Sequence, residues 1–242
     1  MNSSIGIAIV AALELELGGL TKNCRRVERD YEGRKFTFFE RAEIVAVCGG
    51  IGVEPARRAA EAAIALYHPA QLLSVGFAGA LDSNLRVGAI FSPAAVIDAR
   101  DGSRSSIEGG QGTLITFAAV ASVKQKANLS QAYGAQAVDM EAAAVAAAAQ
   151  AHGIRFTATK VISDGLDFEM PETGKFIDAQ GRFQTARFAI HVALRPWLWR
   201  RVAILARNTR MAASVLDGYF RNSSRLLKDV AEPKIPRISS NP

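Results

Sequence analysis

The sequence predicts an α/β fold built on a mainly parallel sheet. Three observations carry that expectation. Ile5–Ala11 (IGIAIVA), Leu72–Phe77 and Phe156–Ser163 (FTATKVIS) are β-rich and nearly continuous in apolar residues, as strands buried on both faces are. Ala-rich stretches with helical spacing lie between them. Turn residues bound each run, and strands that alternate with helices are the mark of βα units.

The elements follow in order. After the first strand, Leu13–Leu20 has the spacing of a helix start. Lys35–Glu40 and Ile44–Cys48 read as a hairpin around Arg41-Ala42, followed directly by Gly49-Gly50-Ile51-Gly52. Pro55 stands where a helix can begin, and Ala56–Leu66 is helical. The strand Leu72–Phe77 ends in the turn Gly76-Phe77-Ala78-Gly79. Ala89–Asp98 is a strand with Pro93 at a bulge, and Asp101–Gly112 is a loop. Leu114–Phe117 and Ala137–Asp139 are short strands, separated by a helix over Ser122–Tyr133. Met140–His152 is a strong Ala-rich helix, and the strand Phe156–Ser163 stops at Asp164-Gly165. Arg182–Phe220 is helical with an interruption at Pro196, and Pro233–Pro242 is a frayed end.

The chain has 242 residues, 49% of them hydrophobic and 21% charged, an ordinary globular balance that excludes collagen, coiled coil and disorder. No repeat or linker divides it, so one domain over 1–242 is expected, with a basic helical extension at about 182–230. The net charge of +6 is uneven: residues 175–242 carry +9 and residues 1–174 carry −3. Basicity is thus a property of the tail rather than of a nucleic-acid-binding body. Two cysteines, Cys24 and Cys48, make no disulfide framework and fit a reducing compartment. With no basic n-region at the start and no apolar run near the roughly 18 residues that span a bilayer, a cytoplasmic location is expected.

In open parallel sheets a ligand lies beyond the carboxyl ends of the strands. That rule gathers Glu14/Glu16, Gly49–Gly52, Gly76–Gly79, Met140-Glu141 and Ser163-Asp164 on one rim. Three carboxylates stand out: Glu16 past the first strand, Glu141 at the head of an apolar helix, and Asp164 at the end of an apolar strand. Each also has a structural explanation. Asp164 is a good helix cap, Glu141 could complement a helix dipole, and Glu16 could be solvated. Together they suit cleavage of a glycosidic bond, where one acid protonates the leaving group and one base activates water. His68, His152 and His191 are scattered, no CxxC or HxxxH spacing occurs, and no metal or cofactor is implied. GxGxxG, GxxxxGK[ST] and GxSxG are absent, which disfavours dinucleotide, P-loop and serine-hydrolase chemistry.

At IAIVAALELEL, GGIG, SVGFAGALDSNLRVGAI, VDMEAAAVA and KVISD the chain resembles the nucleoside phosphorylase/nucleosidase superfamily. The branch it resembles most is that of the 5′-methylthioadenosine/S-adenosylhomocysteine nucleosidases. The resemblance covers about Ile5 to Asp167 and implies a three-layer α/β/α sandwich with a mixed sheet, no metal and a homodimer. It implies that Glu16 activates water, that Met140 and Glu141 hold the ribose, and that Ser163 and Asp164 contact the base, Asp164 protonating purine N7. Ile51 and the stretch Gly76, Phe77, Ala78 and Gly79 would line the nucleoside. Phe77 stands where the family commonly has a small residue, Leu15 replaces an acid, and Thr116–Val120 lacks the loop Asp that packs near adenine. The tail resembles the hopanoid-associated nucleosidase branch, which acts on a nucleoside attached to a lipid.

Water is favoured as nucleophile, because no Gly-Asp-Pro turn or arginine for phosphate is present and carboxylates repel an anion. Phosphorolysis, and a non-catalytic nucleoside-binding protein on the same fold, stay open as alternatives. In the tail, Leu198, Val202, Leu205 and Ala206 share a helix face that packs on the body. Trp197, Trp199 and the flanking arginines fit peripheral contact with a membrane surface.

Overall fold

A computed structural model describes residues 5–231, with side chains through Arg221. Eleven strands join one mixed sheet in the order β2-β3-β4-β1-β5-β10-β9-β7-β8, with β11 on β5 and β6 on β11. These strands are β1 (Ile7–Ala11), β2 (Arg25–Tyr31), β3 (Arg34–Arg41), β4 (Ile44–Cys48), β5 (Gln71–Ala80), β6 (Ile90–Phe91), β7 (Ala95–Asp98), β8 (Arg104–Ser106), β9 (Thr113–Thr116), β10 (Ala137–Asp139) and β11 (Arg155–Asp164). The helices are α1 (Glu14–Leu17), α2 (Val53–Tyr67), α3 (Val123–Tyr133), α4 (Ala142–Ala151), α5 (Thr185–Ala193) and α6 (Pro196–Ala231).

The strand β5 is the hub. Its length pairs in parallel with β11, its first half pairs in parallel with β1, and its end at Gly79-Ala80 pairs antiparallel with β10. The alternation of β1 assigns its side chains to two layers, as the period of 2 requires. Ala8 and Val10 pack with Phe38, Val45 and the alanines of α2 and α4. Ile7, Ile9 and Ala11 face Leu17, Leu20 and the α6 residues Ala212, Leu216 and Phe220. The expected α/β/α sandwich is therefore present.

Several boundaries differ from the expectation. β5 runs through Gly76 and Phe77 to Ala80 rather than turning there, because β11 keeps it in register to Gly79. The stretch Ala89–Asp98 is two strands, since Pro93 has no N–H for the ladder. The edge strand β2 (RRVERDY) has no apolar pattern and is legible only from its partner and the two-residue Glu32-Gly33 turn, both at positive φ. Leu13–Leu20 is a single α-turn followed by a 3₁₀ stretch, Gly18–Asn23, and the Asp101–Gly112 loop contains β8. The helix expected from Met140 starts at Ala142. The expected frayed end at Pro233–Pro242 lies outside the described residues.

The C-terminal helix divides by burial. From Pro196 to Arg207 no side chain is buried; beyond that, Asn208, Ala212, Leu216 and Phe220 recur every four residues against the sheet. Asp217 fixes this half by accepting the Gly19 N–H at 2.7 Å. Leu216→Ala is expected to cost about 2–5 kcal/mol in urea denaturation, while Leu194→Ala on exposed α5–α6 surface changes stability by about 0.5 kcal/mol or less.

Candidate active site

Glu16 is buried at the third position of the one-turn helix after β1. Its Oε2 accepts the N–H groups of Ala12 and Leu13 at 2.8 and 2.9 Å, the acidic half of a capping arrangement. Its Oε1 does something that capping does not explain. It accepts the Phe77 N–H of β5 at 3.1 Å, across 61 residues of sequence. A Cβ added to Gly76 would stand 2.8 Å from this oxygen, so β5 can approach the carboxylate only as glycine. Desolvation raises the Glu16 pKa above the usual carboxylate value, opposed by the backbone donors and by Lys160. The result is a stronger base than a solvated glutamate.

Beside it lies a polar cluster that the sequence reading did not assign. Lys160 of β11 is fully buried and pairs with the equally buried Asp139 at 2.9 Å, while donating to Ser74 Oγ at 3.1 Å. Asp139 also accepts Thr116 Oγ1 at 2.6 Å and the Ala142 N–H at 2.9 Å. Thr116 Oγ1 in turn accepts the Ala143 N–H. Asp139, not Glu141, thus caps α4. Glu141 sits at the N-cap position, where its Oε1 accepts the Gly52 N–H at 2.9 Å and its Oε2 the Met140 N–H at 3.2 Å. It is half-buried at the rim, with protein crowding its carboxyl. Desolvation and the Asp139 charge push its pKa up to about 8, with Lys160 pulling the other way. For Lys160, desolvation would lower the pKa, but Asp139 and Glu141 outweigh it and the ammonium is favoured.

The third carboxylate, Asp164, ends β11, and no helix follows it, so the capping explanation fails. Ser163 Oγ donates to its Oδ1 at 2.7 Å. Lys126 of α3, only 1% exposed, donates to its Oδ2 at 2.5 Å and to the Gly165 carbonyl at 2.6 Å. A Cβ on Gly79 would meet Oδ2 at 2.9 Å, repeating at this end of β5 what Gly76 does for Glu16. Lys126 had a signal in the sequence: it lies three residues before Leu129 on the buried stripe of α3. Lys160 had a clearer one, as the lone charge inside FTATKVIS.

The residues singled out from the sequence therefore collect around the second half of β5. Gly76 and Gly79 are about 10 Å apart at the rise of a strand, so the contacts of Glu16 and Asp164 with β5 lie three residues apart along it. Phe77 and Ala78 lie between, Phe77 donating to Glu16 and Ala78 offering its carbonyl to Ser163 Oγ at 3.4 Å. Met140 is half-buried next to Glu141. Ile51 belongs to a second layer of the rim. Its N–H donates to Gly181 O at 2.8 Å, and a Cβ on Gly50, at φ 105°, would meet Gln180 O at 2.7 Å. The 178–183 loop is thereby clasped over the GGIG turn that supplies Glu141 with its Gly52 donor. A cleft of about 430 Å³ between α3 and the loop after β11 is lined by Val123, Ala127, Leu166 and Asp167, not by Glu16, Glu141 or Asp164. Among the described residues, no three His, Cys, Asp or Glu side chains converge as a metal site.

The structure thus sets a hub strand with a desolvated carboxylate at one contact and a lysine-paired carboxylate at the other in an α/β fold. The family model of the phosphorylase superfamily matches residues 6–124 and 111–194, and the chain belongs to that superfamily. Among solved structures it is similar to futalosine hydrolase of Helicobacter pylori strain 26695, with 18% identity, a TM-score of 0.65, and coverage of 90% of this chain and 98% of that one. It is similar to 5′-methylthioadenosine/S-adenosylhomocysteine nucleosidase of the same organism at 17% identity, TM-score 0.65, covering 90% and 99%. It is also similar to S-adenosylhomocysteine nucleosidase from Streptococcus pyogenes in complex with 5-methylthiotubericidin, at 19% identity, TM-score 0.63, covering 90% and 97%. At these identities the likeness establishes a common fold. No curated protein matches the chain.

Two outcomes follow from this electrostatic arrangement. Lys160→Met leaves Asp139 buried and unpaired and is expected to cost about 3–5 kcal/mol of stability, part of which Asp139→Asn restores in the double variant. Glu141 holds its proton to higher pH in the folded than in the unfolded chain. Stability due to this group is therefore present at low pH and is lost as pH rises from the unfolded value toward about 8. Thermal melts of Glu141→Gln, which keeps an acceptor for Gly52, should show a gain over the parent that grows from pH 5 to pH 9 by a few kcal/mol. A gain independent of pH would contradict the shift.

Proposed function

We propose that the chain is a nucleosidase that hydrolyses the N-glycosidic bond of a purine nucleoside, with adenine as base. 5′-Substituted adenosines, such as methylthioadenosine, adenosylhomocysteine or a lipid-linked adenosine, are the substrates this reading includes. The observation that carries it is the pairing of Glu16 with Gly76 and of Asp164 with Gly79 along one strand. The likeness in fold to futalosine hydrolase and to nucleosidases supports it.

In this reading a water lies between Glu16 and C1′. The Glu16 carboxylate takes the water proton as oxygen bonds to C1′, and the C1′–N9 electron pair leaves with the base. Asp164 delivers a proton to N7, and the Lys126 ammonium bonded to its Oδ2 resupplies it. Ribose hydroxyls donate to Glu141. That favours the carboxylate over the acid, so binding near neutral pH releases a proton from a group with a pKa of about 8. Water rather than phosphate is the nucleophile, because the three N–H groups of Ala12, Leu13 and Phe77 already hold the Glu16 carboxylate, and an anion beside it is repelled. One domain and a cytoplasmic location, expected from the sequence, and assembly as a homodimer, implied by the resemblance, belong to the same reading.

Release of free base, followed chromatographically, tests these roles. Asp164→Asn keeps the shape without the transferable proton and should lose roughly 10²–10⁴-fold in rate. Lys126→Met should slow turnover, because Asp164 then loses the ammonium that donates to its Oδ2. Glu16→Gln should abolish turnover while calorimetry still detects nucleoside binding. Unchanged turnover in Asp164→Asn would overturn the assignment.

A further inference from the structure

The stretch between Asp178 and Asp217 contains seven arginines and no acidic residue. Its fold leaves most of that charge unpaired. Among the described residues, Arg187, Arg195, Arg200, Arg201, Arg207 and Arg210 form no ion pair with a carboxylate. The same stretch exposes large apolar side chains. Ile190 is 64% exposed, Leu194 71%, Trp197 70% and Trp199 55%, and α5 has no buried residue at all. Arg187, Ile190 and Leu194 share one face of α5 by their three- and four-residue spacing. Trp197 follows across the corner into α6, with Arg200 and Arg201 in the next turn.

The corner is built, not loose. Trp199 Nε1 donates to the Val192 carbonyl at 3.0 Å, and Arg195 Nη1 donates to the His191 carbonyl, so the two helices are tied at their junction. Phe176, Phe183 and Phe188 interlock edge to face below it. On the inward side Leu198, Val202, Leu205 and Ala206 are half-buried, as expected of the face turned to the body. The outward side then presents apolar tips amid guanidinium groups.

We propose that this α5–α6 corner docks on an anionic lipid bilayer surface. A large exposed apolar patch marks an interaction site. Trp, Leu and Ile ringed by Arg match the bilayer interface, where rings sit at headgroup depth and basic residues meet anionic lipid. A second copy of the chain is a poor occupant. A two-fold contact presents the same patch from both sides, and that sets arginine against arginine. Since none of the described helices is long and apolar enough to cross a membrane, the contact is peripheral. The inference is independent of the proposed reaction, because none of these residues touches the carboxylate site.

The test is sedimentation of the full chain with vesicles of phosphatidylcholine alone and of phosphatidylcholine with a quarter phosphatidylglycerol. Binding is expected only to the anionic vesicles at about 20 mM salt, with release at about 500 mM, where the charges are screened within a few ångströms. Trp fluorescence should shift to the blue on binding, and Trp197→Ser should lose most of that shift. Arg200→Gln with Arg201→Gln should weaken binding by roughly twenty-five-fold, at about fivefold per guanidinium. These variants should retain the parent melting temperature, and Leu194→Ser serves as a second apolar probe if Trp197→Ser does not fold. Lack of binding at low salt, equal binding to neutral vesicles, or insensitivity to both the apolar and the arginine variants overturns the proposal. So does self-association that needs Trp197 in the absence of vesicle binding, which would make a second copy the occupant.

Discussion

The buried pair of Asp139 and Lys160 is the constraint on which the rest of the site depends. One carboxylate takes three donors from three elements: Thr116 of β9, the first N–H of α4 and the Lys160 ammonium of β11. Lys160 then reaches Ser74 of β5. Four sheet strands and a helix therefore share one hydrogen-bonded knot whose side chains are all buried. A buried pair of this kind adds little net stability over an apolar substitute, but it is costly to break and it tolerates one geometry. Because Asp139 satisfies the start of α4, Glu141 is released from capping and can face the rim. The knot thus determines which acid caps the helix and which accepts from the Gly52 turn at the rim.

Charge around β5 is balanced in the same way at both ends. Lys160 lies near Glu16, Asp139 and Glu141, and its field limits how far burial raises Glu16. Lys126 faces Asp164 alone, at 2.5 Å. The end near Glu16 therefore carries more carboxyl groups than ammonium groups, and desolvation together with the Asp139 charge pushes one of them, Glu141, up to about 8. The Asp164 end is a matched pair. This asymmetry separates a desolvated carboxylate from an ion-paired one along one strand, and Gly76 and Gly79 let both carboxylates come within contact of its backbone. The family's fold supplies the frame, while the two lysines determine how the acids behave.

Much of this was legible in the residues. Continuous apolar runs gave the central strands, and the rim rule gathered Glu16, Glu141 and Asp164 before any geometry was in hand. What escaped did so for physical reasons. The strand β2 is an exposed edge whose charged residues carry no periodic signal. The end of β5 read as a turn because glycines punctuate it, whereas they are there to admit carboxylates. Lys126 and Asp164 are 38 residues apart, so the spacing that places Lys126 on the buried stripe of α3 does not by itself name its partner. Asp139 reads in the sequence only as the end of the short strand Ala137–Asp139, since nothing local distinguishes a cap from a ligand group.

The C-terminal extension contributes through its buried half to the core and through its other half to a basic, apolar corner, so one helix serves packing and surface at once. The central claim, however, is that water cleaves a nucleoside between Glu16 and Asp164. Its most direct test is the unaltered chain incubated with a panel of adenine nucleosides in phosphate-free buffer, with free base and sugar quantified and phosphate then added. The account predicts free adenine and free ribose derivative in equal amounts, at a rate that phosphate does not raise. Base released only when phosphate is present, with a sugar 1-phosphate as the other product, would contradict it.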